Sequence, residues 1–382
     1  MSNRLQQLSA AGTVVWLDFL DRGFLAEGGL RKLIDEDGLT GVTSNPAIFE
    51  KAMGGGNAYD AGFAAALAGA EPSPIDIYER EAIADIRAAA DDLQPVYDRL
   101  HGRDGYVSLE VSPYLANDTD GTVAEARRLW AAVNRPNLMI KVPGTEAGVP
   151  AIRQLLGEGL NINVTLLFAQ DAYEAVALAH VAALEARVAR GEPIERIASV
   201  ASFFVSRIDS QIDKAIDERV SAGDPESATL KALRGKVAIA NAKLAYAWWQ
   251  ELVESDRWQQ LAVKHAMPQR LLWASTGVKD KAYPETLYVD TLIGPETVNT
   301  MPVPTMDAFR RTGTVTQSLT SDVDGARIIL AEAQRLGLDL TRVTDELTIH
   351  GVKKFADSFD DLLKAVAMKR AQLLAEKGAA HA

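Results

Sequence analysis

Short β-branched runs alternate with long Ala- and Leu-rich stretches of helical period, the pattern of successive βα units. It predicts strands at Val14 to Leu17, Gly41 to Thr43, Tyr106 to Val111, Leu138 to Val142, Ile162 to Thr165, Ile197 to Phe203, Arg270 to Ala274 and Thr297 to Met301. Eight parallel strands of this kind can close on themselves, so the pattern favours an α/β chain of the (β/α)8 TIM-barrel type. An open doubly wound sheet is the competing architecture.

Helical periodicity follows most of these strands, for instance over Asp171 to Arg190 and over Glu226 to Leu252. The segment 50–100 is too long for one βα connection, and Glu71-Pro72-Ser73-Pro74 divides it, which predicts an extra helix pair inserted before the third strand. Beyond the last strand, segment 322–377 holds two further amphipathic helices, Asp322 to Leu336 and Val352 to Lys377. In the second, Phe355, Phe359, Leu362, Leu363 and Val366 make an apolar stripe that must dock, and the barrel mouth is a candidate surface. Without tandem repeats, heptad runs or low-complexity linkers, residues 1–382 read as one elaborated barrel domain.

Composition narrows the chemistry. Forty Lys and Arg against 52 Asp and Glu leave a net charge of -12, which would repel a polyanion, so nucleic acid is not an expected partner. The absence of Cys removes disulfides, thiolate nucleophiles and thiolate metal sites. The opening Met1-Ser2-Asn3-Arg4 lacks an apolar signal core, and no run approaches the ~18 apolar residues of a membrane span. The expectation is a cytoplasmic protein with no membrane partner. His101, His180, His265, His350 and His381 are too scattered to suggest a metal site. Gly54-Gly55-Gly56 is not followed by Lys-Ser or Lys-Thr, and no Gly-x-Ser-x-Gly elbow occurs.

What remains is a set of polar residues within or just after the strands, where barrel enzymes carry their chemistry. Strand alternation turns Ile140 and Val142 outward and Met139 and Lys141 inward. Desolvation disfavours the charged form of such an amine, the condition for attack on a carbonyl; a Lys reaching solvent or pairing with a carboxylate is the plainer reading. Val107, Leu109 and Val111 share one face, so Ser108 and Glu110 share the other, and Asn163 and Thr165 do the same on the fifth strand. Three neighbouring strands thus aim Glu110, Lys141 and Thr165 at one spot, although Glu110 and Lys141 would equally neutralise one another. Asp18 ends the first strand and Asn45 precedes Pro46, positions that also suit a turn cap and a bend. Arg207 and Lys279, after the sixth and seventh strands and beside Ser and Gly, suit a phosphate monoester or surface ion pairs.

These residues lie in segments that resemble the transaldolases, specifically their longer bacterial type, within the class I Schiff-base aldolase superfamily. GVTSNPAIF (Gly41 to Phe49) resembles one family signature, and LMIKVPGTEAGVPAIRQL (Leu138 to Leu155) resembles that around the Schiff-base Lys. SLEV (Ser108 to Val111), INVTLLF (Ile162 to Phe168), SFFVSRID (Ser202 to Asp209), ASTGVKD (Ala274 to Asp280) and LIGPETVNTMP (Leu292 to Pro302) extend the match along the chain. The resemblance implies a barrel without metal or organic cofactor that moves a dihydroxyacetone unit between sugar phosphates. The donor would be sedoheptulose 7-phosphate and the acceptor glyceraldehyde 3-phosphate, giving erythrose 4-phosphate and fructose 6-phosphate in the non-oxidative pentose phosphate pathway. It makes Lys141 the covalent residue, Asp18 the acid/base, Glu110 and Thr165 the holders of a catalytic water, and Asn45 the grip on the three-carbon unit. Ser202, Arg207 and Ser275 fall at substrate-binding positions. Lys279 departs from the pattern: shorter members have an Arg two residues after the seventh-strand Ser, whereas Lys279 stands four after Ser275. A fructose 6-phosphate aldolase, or another class I aldolase releasing free dihydroxyacetone, would use the same Lys. A non-catalytic sugar-phosphate-binding barrel is the rival from another class, and the oligomeric state is left between monomer and homodimer.

Overall fold

The computed structural model describes residues 3–68 and 71–380, so Met1, Ser2 and His381 lie outside the described residues. Eight strands form one closed parallel barrel in chain order: β1 (Thr13–Leu17), β2 (Gly41–Val42), β3 (Tyr106–Glu110), β4 (Leu138–Pro143), β5 (Ile162–Leu167), β6 (Ser199–Phe204), β7 (Arg270–Ala274) and β8 (Thr297–Met301). Closure decides between the two architectures the sequence allowed. It follows from β8 pairing along its whole length with β1, from Thr13 opposite Thr297 to Leu17 opposite Met301. β2 is cut to two residues. There Gly41 faces Trp16, and a Cβ at this glycine would lie 2.4 Å from the indole, so a close approach of backbone to ring requires the missing side chain.

The outer strand faces carry Val107, Leu109, Ile140, Val142, Ile162 and Val164, all buried. Inside, polar residues of three strands bond to one another. Asn163 Nδ2 donates to Ser108 Oγ at 3.0 Å, and Ser202 Oγ donates to Asn163 Oδ1 at 2.7 Å, tying β3, β5 and β6 into one inner layer. This is the inward polar face expected from alternation, with its deeper layer paired across three strands.

Within 50–100 the expected helix pair is present as Asp60–Ala66 and Pro74–Arg99, the latter capped by Ser73, and the helix Pro46–Gly54 precedes it. The single helix expected over Glu226 to Leu252 is instead two, Ser227–Leu233 and Val237–Glu254. Gly235 breaks it: its φ is +67° and a Cβ there would lie 2.8 Å from the Tyr283 ring. The C-terminal helix runs Leu340–Ala380, beginning well before Val352 because buried Val343 and Leu347 extend the stripe.

That stripe docks on the barrel mouth. The C-terminal helix packs against Pro46–Gly54, Pro74–Arg99, the helix Ser206–Ser221 and β5. Phe49 meets Tyr78, and Tyr78 meets Phe359, each edge to face with centroids 5.7 Å apart. Leu362 and Val366 are fully buried behind them, and Leu363 is partly buried. No helix among the described residues is long and apolar enough to cross a membrane.

Candidate active site

Parallel register places Glu110 directly beside Lys141 on β3 and β4, and Lys141 beside Asn163 on β5. Both inward side chains are buried. Lys141 Nζ lies 3.3 Å from Glu110 Oε2 and donates to the Ser44 carbonyl at 3.2 Å. Ser44 is itself fixed, its hydroxyl donating to the Ser108 carbonyl at 2.7 Å. The loop after β2 therefore contributes a backbone oxygen to the hold on the amine. Burial pushes the Glu110 carboxyl up to about 7, against the pull of Lys141 and with a smaller push from Asp18. A carboxyl that titrates near neutrality exchanges protons in both directions at physiological pH.

Asp18 follows β1, which brings it to the same end of the barrel. Thr43 Oγ1 donates to Asp18 Oδ1 at 2.7 Å and is braced by Thr300 Oγ1, also at 2.7 Å. Burial raises the Asp18 pKa, while Lys141, the Thr43 hydrogen bond and Arg207 oppose that rise. Asp18 thus lies within the electrostatic reach of the buried amine and of the Arg207 guanidinium, and it is not the cap of the next helix, a position that Asp21 fills.

Thr165 occupies an irregular stretch of β5. The ladder with β6 shifts register between Val164 and Leu167, and Leu166 takes a left-handed φ of +59°. A bulge of this kind re-aims the side chains beside it at a cost in backbone strain. Thr165 Oγ1 and Glu110 Oε1 are buried with no hydrogen-bond partner among the described residues, and Lys141 is what faces Glu110 Oε2. Asn45 accepts from Ile48 N at 3.1 Å and so caps the helix Pro46–Gly54, which leaves its amide NH2 as the donor available to a ligand.

Arg207 opens the helix Ser206–Ser221, with its guanidinium 4.9 Å from the centre of the Phe204 ring. Burial lowers its pKa and Asp18 partly restores it. Desolvation also lowers the Lys279 pKa, and the nearby Arg207 and Lys354 cations push it further down. Among the described residues, no carboxylate forms an ion pair with Arg207, Lys279 or Lys354, although ion pairs are frequent elsewhere on the surface. Surface pairing, the alternative reading of Arg207 and Lys279, is not found among the described residues. Ser275, at φ +55°, shares a hydrogen bond with Ser206 at 3.0 Å between hydroxyl oxygens, and so holds the turn that presents Arg207. Ser202 gives its hydroxyl to Asn163 in the inner layer.

The strand pattern had aimed Glu110, Lys141 and Thr165 together, and the loops add Asp18, Asn45, Arg207 and Lys279 around the same end. Sequence reasoning missed the Ser44 carbonyl, the Thr43 and Thr300 hydroxyls, and Lys354. Thr43 was within reach, since alternation from Val42 turns it inward. The others arise from loop and helix placement.

The comparisons with known proteins agree with this geometry. The family model for Transaldolase/Fructose-6-phosphate aldolase matches residues 15–366. A transaldolase of Thermobifida fusca (strain YX) is 49% identical over 372 residues, covering 97% of this chain and 99% of that protein. One from Parafrankia sp. (strain EAN1pec) is 48% identical over 370 residues, with 96% and 98% covered. One from Trichodesmium erythraeum (strain IMS101) is 44% identical over 373 residues, with 97% and 98% covered. With a barrel, an inward Lys–Glu pair and near full-length similarity at this level, the chain belongs to the transaldolase/fructose-6-phosphate aldolase family.

Proposed function

We propose that this protein is a transaldolase that carries dihydroxyacetone from sedoheptulose 7-phosphate to glyceraldehyde 3-phosphate, yielding erythrose 4-phosphate and fructose 6-phosphate. The observation that carries the reading is the buried Lys141–Glu110 contact of 3.3 Å with Asp18 beside it, two proton-transfer groups around one amine.

Cleaving the bond between C3 and C4 of a ketose leaves a carbanion that needs an adjacent cationic sink. Lys141 supplies it. Its neutral amine attacks C2, and Glu110, working through a water shared with Thr165, takes a proton from the nitrogen and passes protons to the C2 oxygen, which leaves as water. Lys141 and C2 are then joined as an iminium. Asp18 takes the proton of the C4 hydroxyl, the C3–C4 bond breaks, and its electron pair flows into the iminium to give an enamine while the aldose departs. Asn45 holds the three-carbon unit through its amide NH2. C3 then attacks the incoming aldehyde, Asp18 returns its proton to the new C4 oxygen, and water releases the product ketose from Lys141. Arg207 and Lys279 take the substrate phosphate, with Lys279 as a point charge beside Arg207's fork. Ser202 and Ser275 support this set through the inner layer and the Arg207 turn.

Addition of fructose 6-phosphate and borohydride, followed by intact mass and peptide mapping, tests the reading. The expected result is one reduced three-carbon adduct on Lys141, absent in Lys141→Ala. An unmodified chain, or an adduct on another Lys, overturns it.

A further inference from the structure

The C-terminal helix does more than cover an apolar surface. Phe355 is buried, and its ring centre lies 5.6 Å from Lys141 Nζ. It is the point at which this helix reaches the amine at the barrel centre. Four residues earlier, Gly351 rests on β5: a Cβ there would lie 2.8 Å from Leu166 Cδ2, on the strand that carries Thr165. Four residues later, Phe359 is gripped by Tyr78 and by Tyr114, with ring centres 5.7 and 6.3 Å away. Phe355 is therefore held between two fixed points on one face of the helix. Neither the ring nor the helix belongs to the strands that make the barrel.

We propose that Phe355 is the residue that shields the Schiff-base centre from water and thereby sets the ratio of transfer to hydrolysis. This rests on the assignment of Lys141 as the covalent residue. The enamine left after cleavage has two fates. In transfer, C3 bonds to an aldehyde. In hydrolysis, C3 takes a proton, water adds at C2 of the resulting iminium, and the C2–N bond breaks to release dihydroxyacetone and the free amine. Hydrolysis consumes one water and needs no second substrate, so its rate follows access of solvent to the C2–C3 region. An aromatic ring over Nζ restricts that access and favours the iminium cation through its π face.

The test uses the full-length protein with fructose 6-phosphate as donor, with and without erythrose 4-phosphate, following sedoheptulose 7-phosphate and free dihydroxyacetone together. For Phe355→Ala, dihydroxyacetone release relative to transfer rises by on the order of 10-fold as water enters the site. Phe355→Leu, which keeps an apolar cover, gives a smaller rise, and borohydride still traps the adduct on Lys141 in both. An unchanged product ratio in Phe355→Leu, or in Phe355→Ala where that chain folds, with the adduct still formed, overturns the proposal. Failure of the unsubstituted protein to form the Lys141 adduct instead overturns the assignment of the covalent residue, which keeps the two results apart.

Discussion

At the scale of single residues, Glu110 carries the clearest pH signature. Its carboxyl is pushed up to about 7 by burial, so the carboxylate that draws protons from the amine and the water is populated only above that pH. The expected kcat/KM for the donor ketose falls about tenfold per unit as pH drops below about 7. In Glu110→Gln this acidic limb disappears and the rate is low throughout; a limb that survives the substitution would place the titrating group elsewhere. Asp18 separates from Glu110 by the step it serves. Asp18→Asn should lower kcat by about 10² to 10⁴, the usual worth of a positioned acid/base, while borohydride still traps an adduct on Lys141, now the uncleaved ketose phosphate instead of the three-carbon unit. Loss of the adduct together with turnover would mean that Asp18 acts before carbon–carbon cleavage. Period-two alternation made Lys141, Glu110 and Thr165 legible in the sequence, because strands buried on both faces expose their inward polar residues as exceptions. The Thr43 bond to Asp18 and the clustering of Arg207, Lys279 and Lys354 were not, since loops and a remote helix bring those groups together.

At the scale of elements, a buried carboxyl locks the Arg207-bearing helix to its neighbours. Asp209 accepts from Ala238 N at 2.8 Å, at the start of Val237–Glu254, and from the Tyr288 hydroxyl at 3.0 Å. Burial pushes its pKa up to about 7 from 3.8, so the folded state holds a proton that the unfolded chain would release. The stability this contributes is complete below pH ~4 and is lost as pH rises towards about 7, a change on the order of a few kcal/mol. Asp209→Asn keeps an acceptor for one of the two donors and should flatten that slope in urea melts between pH 4 and 7; an unaltered slope would assign it to other carboxyls. The same region marks where element prediction stops. Helical period runs through Arg234-Gly235-Lys236, yet Gly235 must turn there to pass Tyr283, a tertiary demand that periodicity does not contain. The apolar stripe of the C-terminal helix was plain, but which of its rings lands over Lys141 depends on the docking angle set by Phe49, Tyr78 and Tyr114.

For the whole molecule, the catalytic rim holds its geometry only while the barrel stays closed, and one buried ion pair fastens across that closure. Arg270 at the start of β7 pairs with Asp104, just before β3, at 3.0 Å, and Trp16 of β1 donates its indole N–H to the same carboxylate at 2.9 Å. Three strands not adjacent in the barrel order are thereby joined through one side chain, far from the C-terminal strand ends that carry the chemistry. Both charged groups are buried, so removing one strands the other in a medium that solvates it poorly. Asp104→Ala should therefore cost about 3–5 kcal/mol, more than Arg270→Met, after which the Asp104 carboxylate still accepts from Trp16 Nε1 and Gly105 N. Urea denaturation with an unchanged slope would read this as lost stability of one cooperative unit. The adduct on Lys141 should still form below the transition, because no atom of the reacting centre has moved. Equal costs for the two variants would mean that packing around Trp16, and not the stranded charge, sets the loss.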